Sequence, residues 1–168
     1  MPTSHLDAEA LYRELLEHIK AGLAQADKPA IVGIHSGGAW LAERLARDLN
    51  LADRLGFIDV SFHRDDYAEK GLPAEVRPTQ IAFDVNGATI VLVDDVLYAG
   101  RTTRAAINEL FDYGRPARIM LATLVDRGGR QLPVAADFVA HTLALPAEQR
   151  LVLDRAEDGR FSLSVHHA

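Results

Sequence analysis

The stretch Ile90–Thr103, IVLVDDVLYAGRTT, decides the fold class of this chain and carries most of its recognisable chemistry. The run Thr89–Val93 is apolar and β-branched, which is typical of a buried strand in a parallel sheet. Two carboxylates, Asp94 and Asp95, follow that strand, and Gly100 marks the turn after them. A helical pattern begins just beyond the turn, so the stretch predicts one strand–turn–helix unit of an α/β protein.

The same alternation extends in both directions along the chain. Apolar residues at helical spacing predict helices, and short apolar or alternating runs predict strands. The predicted elements are helices over 5–25, 39–49 and 102–113, strands over 30–34, 56–63, 117–125 and 134–140, and a β-hairpin over 150–165. Ser4 or Asp7 is suited to cap the first helix. The pattern indicates an α/β fold in which a central, mostly parallel sheet is flanked by helices.

The composition excludes several classes of protein. The chain has 168 residues, enough for one domain, and no apolar run of transmembrane length. It contains no cysteine, which excludes disulfides and thiolate-bound zinc. The formal net charge of −6 is unlike that of a protein whose main role is non-specific nucleic-acid binding. The N-terminus lacks an apolar signal region, so the expected compartment is the cytoplasm.

The two carboxylates and the helix after them predict a ligand site. Ligands of open α/β sheets bind at the carboxyl ends of the strands, and a helix N-terminus attracts anions. Asp94 and Asp95 would repel a phosphate directly, so they fit ribose hydroxyls or a magnesium ion, with the phosphate one turn further on. A simpler interpretation is that the pair only caps a turn. The chain has neither a Walker A loop nor a G-x-G-x-x-G fingerprint.

Five segments of the chain resemble the type I phosphoribosyltransferases, and more narrowly the pyrimidine-operon regulator (PyrR) family. They are VGIHSGGAWLAERL at 32–45, IDVSFHRDD at 58–66, VDDVLYAGRT at 93–102, YGRP at 113–116 and LVDRGGRQLPVAAD at 124–137. The resemblance covers nearly the whole chain. It implies a single phosphoribosyltransferase domain over 1–168, with a flexible flap at about 64–86 and a small base-binding hood at about 126–150.

The resemblance also implies a role for each matching residue. Asp94 and Asp95 match the pair that binds the ribose of phosphoribosyl pyrophosphate (PRPP). The resemblance implies that the same pair holds Mg²⁺, mostly through PRPP. Together with Arg64 of the flap, Asp94 and Asp95 form the implied catalytic set. The implied phosphate loop is Ala99, Gly100, Arg101, Thr102 and Thr103. The implied pyrophosphate loop is His35, Ser36, Gly37 and Gly38, and the implied base-binding residues are Asp126, Arg127, Phe138 and Val139. Judged alone, Gly37-Gly38 is also compatible with a plain turn, and Phe138 with an ordinary core phenylalanine.

The activity implied by the resemblance is the conversion of uracil and PRPP to UMP and pyrophosphate, together with pyrimidine-operon regulation. Tyr98 favours a pyrimidine, because purine-using relatives have an aspartate there. Two departures from the family pattern weaken the expected binding of phosphates: His35-Ser36-Gly37 lacks the arginine that many relatives have, and Ala99 replaces a threonine. A catalytically weak regulator that senses UMP and PRPP therefore remains an alternative.

The implied partners are PRPP, uracil, UMP and a pyrimidine-operon leader RNA, and the implied assembly is a homodimer or tetramer. The sequence offers basic residues for RNA on its first helices: Arg13, Lys20, Arg44, Arg47 and Arg54. Acidic residues are interleaved with them, so a mixed, solvated face is the simpler interpretation. No histidine pair has metal-ligand spacing with a third partner nearby, and no zinc site is expected.

Overall fold

The fold is built on one six-stranded sheet with the strand order β3-β2-β1-β4-β5-β6, seen in a computed structural model that describes residues 6–60 and 79–167. Its strands are β1 (Pro29–Ile34), β2 (Leu55–Ile58), β3 (Gln80–Ile81), β4 (Thr89–Leu97), β5 (Arg118–Asp126) and β6 (Phe138–Thr142). Only the pairing of β2 with β3 is antiparallel. The predicted α/β fold with a mostly parallel sheet is confirmed.

The helices divide the core into two layers. They are α1 (Ala8–Gly22), α2 (Gly37–Asp48) and α3 (Arg101–Phe111), and a 3-10 turn spans Ala52–Arg54. The side chain of Asp7 caps α1 by accepting hydrogen bonds from the amides of Glu9 and Ala10 at 3.1 and 3.2 Å. Buried residues of α1 and α2 form a cluster with one face of the sheet, and those of α3 form a second cluster with the other.

A C-terminal β-hairpin forms a separate two-stranded sheet, as the sequence predicts. Its antiparallel strands are β7 (Gln149–Arg155) and β8 (Phe161–His167). Apolar side chains from both strands join the cluster of α1 and α2: Leu151, Leu153, Phe161 and Leu163. The hairpin is thereby held against these helices, and β7 extends along the carboxyl edge of the main sheet, where the candidate site lies.

The structure differs from the sequence-based expectation in four places. β2 ends at Ile58, whereas the predicted strand runs over 56–63, and residues 59 and 60 are described but not in a strand. β4 does not end at Val93, because its pairing with β5 continues from Asp94↔Thr123 to Leu97↔Asp126. β6 begins at Phe138 rather than at Val134, since only its residues from Phe138 onward pair with β5. Part of the predicted flap, Gln80–Ile81, forms the edge strand β3, which is too short to give a recognisable sequence pattern.

Residues 64–78 of the predicted flap, including Arg64, lie outside the described residues. Within the described ranges, no helix combines the length and the apolar character needed to cross a membrane.

Candidate active site

A cavity of about 540 Å³ opens at the carboxyl edge of the sheet, where β1 and β4 end. Its first wall is the loop between β1 and α2, its second the end of β4 with the start of α3, and its third the beginning of β7. The lining residues that the sequence analysis proposed are His35, Ser36, Gly37, Asp94, Asp95, Thr102 and Arg127. The structure therefore brings three separately predicted segments to one cavity.

The acidic pair lies on the middle wall. Asp94 is buried and Asp95 is partly buried, and both side chains contribute to the lining of the cavity. The amide of Asp95 donates to Asp94 Oδ1 at 2.9 Å, and the amide of Val96 donates to Asp95 Oδ1 at 2.8 Å. The hydroxyl of Thr123 on β5 donates to the carbonyl of Asp95 at 3.2 Å. These bonds fix the orientation of two carboxylates toward a space large enough for a ligand.

The first turn of α2 can approach the acidic pair closely only because it begins with two glycines, Gly37 and Gly38. A Cβ atom added to Gly37 would lie 2.7 Å from Cγ of Asp95. One added to Gly38 would lie 3.0 Å from the Cα atom of Asp94 and would also collide with the carbonyl of Val93. The His35–Ser36 peptide in this loop is cis. The glycine pair therefore begins a helix packed closely against Asp94 and Asp95, where a residue with a side chain would not fit.

The turn before α3 has the backbone expected of an anion-binding loop. Gly100 is the N-cap of α3 with φ of +97°, a conformation that a residue with a side chain rarely adopts. The first helical hydrogen bond runs from the amide of Arg104 to the carbonyl of Gly100 at 3.0 Å, so the amides before it have no intrahelical acceptor. Thr102 lines the cavity, and the hydroxyl of Thr103 is buried without a partner in the described part of the chain.

Arg127 joins two walls of the cavity. Its guanidinium group lies 4.1 Å from the centre of the Tyr98 ring. The same group donates to the carbonyls of Gln149 at 2.8 Å, Pro146 at 3.0 Å and Leu145 at 3.3 Å. The residue is only 6% exposed, and its Nε atom has no partner among the described residues.

A second arginine, Arg130, fixes the loop that follows β5. It donates to the carbonyls of Tyr98 at 2.7 Å and Val134 at 2.8 Å, and it forms an ion pair with Asp126 at 2.6 Å. Burial by itself would raise the pKa of Asp126. Hydrogen bonds from Arg130 and from the Gly128 amide, together with the positive charge of Arg130, outweigh that effect and lower the pKa below its usual value. Asp126 is thus a charged, structurally engaged group.

Three of the four predicted base-binding residues lie away from the cavity wall. Of the described residues, Asp126, Phe138 and Val139 are not among those that line it. The ring of Phe138 packs against α1, since a Cβ atom at Gly22 would lie 2.5 Å from its Cζ atom. Phe138 belongs to the core cluster of that layer, which is the simpler of the two interpretations given by its sequence.

Other residues take positions at the cavity that the sequence analysis did not assign to the site. They are Ile34, Trp40, Val96 and the β7 residues Leu151, Val152 and Leu153, while Ala147, Gln149 and Arg150 lie within the range predicted for the hood. Tyr98 lines the cavity as well, and the motif of the acidic pair already singled it out as a residue that favours a pyrimidine. The β7 residues carry no such signal, because only the packing of the hairpin brings them to the sheet edge.

Comparison with known proteins places this site in a family. Residues 3–144 match the phosphoribosyl transferase domain. The bifunctional protein PyrR of Ralstonia nicotianae is 52% identical over 95% of this chain and 92% of its own length. The protein of the same name from Nitrosococcus oceani is 45% identical over 94% of this chain and 92% of its own length. This chain belongs to the PyrR family.

A solved structure supports the fold of this PyrR family member independently. The hypoxanthine-guanine phosphoribosyltransferase of Bacillus anthracis covers 99% of this chain and of its own chain with a TM-score of 0.69, at 19% sequence identity. At that identity the match shows the fold alone. The type I phosphoribosyltransferase fold that the sequence resemblance implied is therefore confirmed.

Proposed function

We propose that this protein transfers the phosphoribosyl group of PRPP to uracil, forming UMP and pyrophosphate, and that it is also a pyrimidine-operon regulator. The observation that carries the proposal is the single cavity that unites the acidic pair, the glycine loop after β1 and the start of α3. The two carboxylates can accept hydrogen bonds from ribose hydroxyls, and the backbone amides of the other two parts can donate to phosphate oxygens. PRPP requires both, because its ribose carries a phosphate at one end and a pyrophosphate at the other. Membership in the PyrR family supports both activities.

In the proposed reaction a uracil ring nitrogen bonds to the anomeric carbon of PRPP while the bond from that carbon to pyrophosphate breaks. The ring nitrogen loses its proton to solvent. Asp94 and Asp95 bind the ribose hydroxyls and hold the anomeric carbon in the cavity. Amides of the loop 35–38 bind the departing pyrophosphate, and amides at the start of α3 bind the ribose phosphate. Catalysis on this proposal comes from positioning and electrostatic stabilisation.

The donor set of the cavity fits Mg²⁺ bound together with PRPP. Within the described ranges, no group of three or more His, Cys, Asp or Glu side chains could hold a metal ion by itself. Two adjacent carboxylates beside a space for phosphates suit Mg²⁺, which commonly takes one or two protein carboxylates and completes its shell with phosphate oxygens and water. Asp94 and Asp95 would hold the ion, which would supply positive charge to the pyrophosphate oxygens.

The test is UMP formation from uracil, PRPP and Mg²⁺, with hypoxanthine and orotate as control bases. We expect turnover with uracil only, and we expect Asp95→Asn to lower it by about a hundredfold or more because an interaction with the reacting ribose is lost. Asp27→Asn, at an exposed loop position, is the matched control and should leave turnover unchanged. Absence of turnover in the wild-type protein, despite measurable PRPP binding, would contradict the enzymatic proposal.

That outcome would favour the second candidate, a catalytically weak regulator that senses UMP and PRPP and binds a leader RNA or a protein partner. The observation behind it is the lining of the pyrophosphate wall by His35, Ser36 and Gly37, which provides no arginine there. An arginine would add a charge-assisted contact to phosphate. Equilibrium binding of UMP and PRPP would separate the candidates, because the sensor requires tight binding of both without turnover.

The proposed organisation is a single domain over 1–168, with the flap at about 64–86 and the hood at about 126–150, in a homodimer or tetramer. The contacts between the loop after β5 and the end of β4 support one cooperative unit. Light scattering gives the assembly, and a single unfolding transition is expected from the domain proposal.

A further inference from the structure

The guanidinium group of Arg127 connects the end of β4 with the chain segment that leads into β7. Its NH1 and NH2 atoms donate to three carbonyls of that segment, those of Leu145, Pro146 and Gln149. Its Cζ atom lies over the ring of Tyr98, 4.1 Å from the ring centre. Gly129 covers the ring as well, since a Cβ atom there would lie 2.7 Å from Cδ1 of Tyr98.

The segment that Arg127 holds has few attachments of its own. Pro146, Ala147 and Glu148 are exposed, so little apolar burial fixes them. Ala147 and Gln149 nevertheless line the cavity, and so does β7 directly after them. The exposed part of this wall is therefore held by the three hydrogen bonds from Arg127, between the packing of Leu145 before it and the core packing of β7 after it.

We infer that Arg127 is a positioning residue that sets the width of the cavity between the acidic pair and β7, and thereby the binding of the uracil ring. The inference rests on the proposed function. It assigns to Arg127 a different role from the expected contact with the base: Arg127 would hold in place the cavity wall that contacts the base. The Nε atom of the group is buried and has no partner within the described residues.

Lysine is the informative replacement. It keeps the positive charge but has neither the planar fork that reaches three carbonyls nor the flat face that stacks on Tyr98. For Arg127→Lys we expect the KM for uracil to rise about tenfold or more, because charged hydrogen bonds that hold the wall are lost. The KM for PRPP should change less than about threefold, because the acidic pair and both phosphate loops are untouched. Arg118→Lys, at an exposed position at the start of β5, the strand that Arg127 follows, is the control and should change neither constant.

A second measurement needs no turnover. Trp40, the only tryptophan of the chain, lines the same cavity. Its fluorescence reports on the wall directly, and we expect stronger quenching by acrylamide in Arg127→Lys than in the wild-type protein or in Arg118→Lys. This readout keeps the inference testable even if the wild-type protein makes no UMP, an outcome that would contradict only the proposed function.

Three results would overturn the inference. The first is an active Arg127→Lys variant with an unchanged KM for uracil, and the second is an equal rise of both KM values. The third is unchanged quenching of Trp40 in a folded variant. If Arg127→Lys does not fold, Tyr98→Leu removes the stacking platform without altering a buried charge. It should raise the KM for uracil by a smaller factor, and an unchanged value there would contradict the inference equally.

Discussion

The two glycines that begin α2, Gly37 and Gly38, face different neighbours. A side chain at Gly37 would meet the side chain of Asp95, including its Cβ atom at 2.9 Å, so that Asp95 would have to shift. A side chain at Gly38 would meet the backbone of Val93 and Asp94 in the central strand, which cannot move without disturbing β4. A side chain added at Gly37 should therefore affect ligand binding through Asp95, and one added at Gly38 should affect the stability of the fold.

We predict that Gly37→Ala lowers PRPP binding or turnover by about tenfold or more while the protein stays folded, since displacing Asp95 removes a ligand contact. Gly38→Ala should instead lower the free energy of unfolding by about 1–3 kcal/mol or more, the usual effect of overpacking a core position. Urea denaturation and PRPP titration of both variants check this. Equal losses of stability in the two variants would contradict it.

The ion pair of Asp126 and Arg130 predicts a pH dependence of stability. Because the pKa of Asp126 is lower in the folded protein than its usual value of 3.8, the pair stabilises the fold above about pH 4. This contribution is lost as the pH falls through the folded-state pKa. Asp126→Asn should therefore destabilise the protein at pH 7, by about 1–2 kcal/mol for the loss of a charged hydrogen bond, and by less near pH 3.

Denaturation at both pH values is the measurement, and Asp27→Asn at an exposed loop position is the control. A difference between the wild-type protein and Asp126→Asn that stays constant from pH 7 to pH 3 would show that the carboxylate charge does not act through Arg130.

Among the elements, the C-terminal hairpin depends most visibly on one side chain of α2. The guanidinium of Arg44 lies 4.0 Å from the ring centre of Phe161 on β8 and donates to the carbonyl of Gly159 in the hairpin turn. It also pairs with Glu9 of α1 at 2.7 Å, and Glu9 accepts the amide of Phe161 at 2.7 Å. Burial would raise the pKa of Glu9, but these hydrogen bonds and the charge of Arg44 lower it. Two helices and the hairpin thus share one polar cluster.

We predict that Arg44→Ala lowers the free energy of unfolding by about 2–3 kcal/mol, because it removes a cation–π contact and leaves the carboxylate of Glu9 partly buried without its partner. In this variant, hydrogen exchange should speed up more for the backbone amides of β7 and β8 than for those of β4, relative to the wild-type protein. Arg47→Ala, at an exposed position on the same helix, should stay within about 0.5 kcal/mol of the wild-type protein. Similar losses in both variants would contradict this account of the hairpin.

At the scale of the whole molecule, the distribution of charge bears on the proposed binding of leader RNA. Two of the five candidate basic residues are already engaged: Arg44 in the cluster above, and Arg54 through its bonds to the carbonyls of Lys28 and Pro29. Arg13, Lys20 and Arg47 are exposed, but Glu14 and Glu17 are exposed beside them on α1. This face is mixed in charge.

We predict that leader RNA, if bound, dissociates steeply as salt rises, which is the signature of a phosphate interface. The double variant Arg13→Gln, Lys20→Gln should keep the same dependence of log K on log salt, because the mixed face is not the interface. A titration over a salt series measures the slope. A slope smaller by about two units in the double variant would assign the RNA to α1, since each lost phosphate contact lowers it by about one.

The sequence by itself determined the fold class and the centre of the site. The alternation of apolar strands and helices predicts the parallel sheet, because burial of both sheet faces requires continuous apolar runs. The carboxylates after Val93 and the turn at Gly100 lie at the sheet edge where ligands bind, because parallel strands end together. These features depend on residues that are neighbours in the chain.

Only the tertiary structure decided what lies opposite that centre. Phe138 and Gln149 follow the same strand in the sequence, yet Phe138 packs against α1 and Gln149 lines the cavity. The reason is that their positions depend on contacts between distant elements: the seating of the hairpin on α1 and α2, and the hydrogen bonds from Arg127 across about twenty residues of chain. Local sequence patterns record which residues are apolar or charged, and long-range packing determines which of them meet.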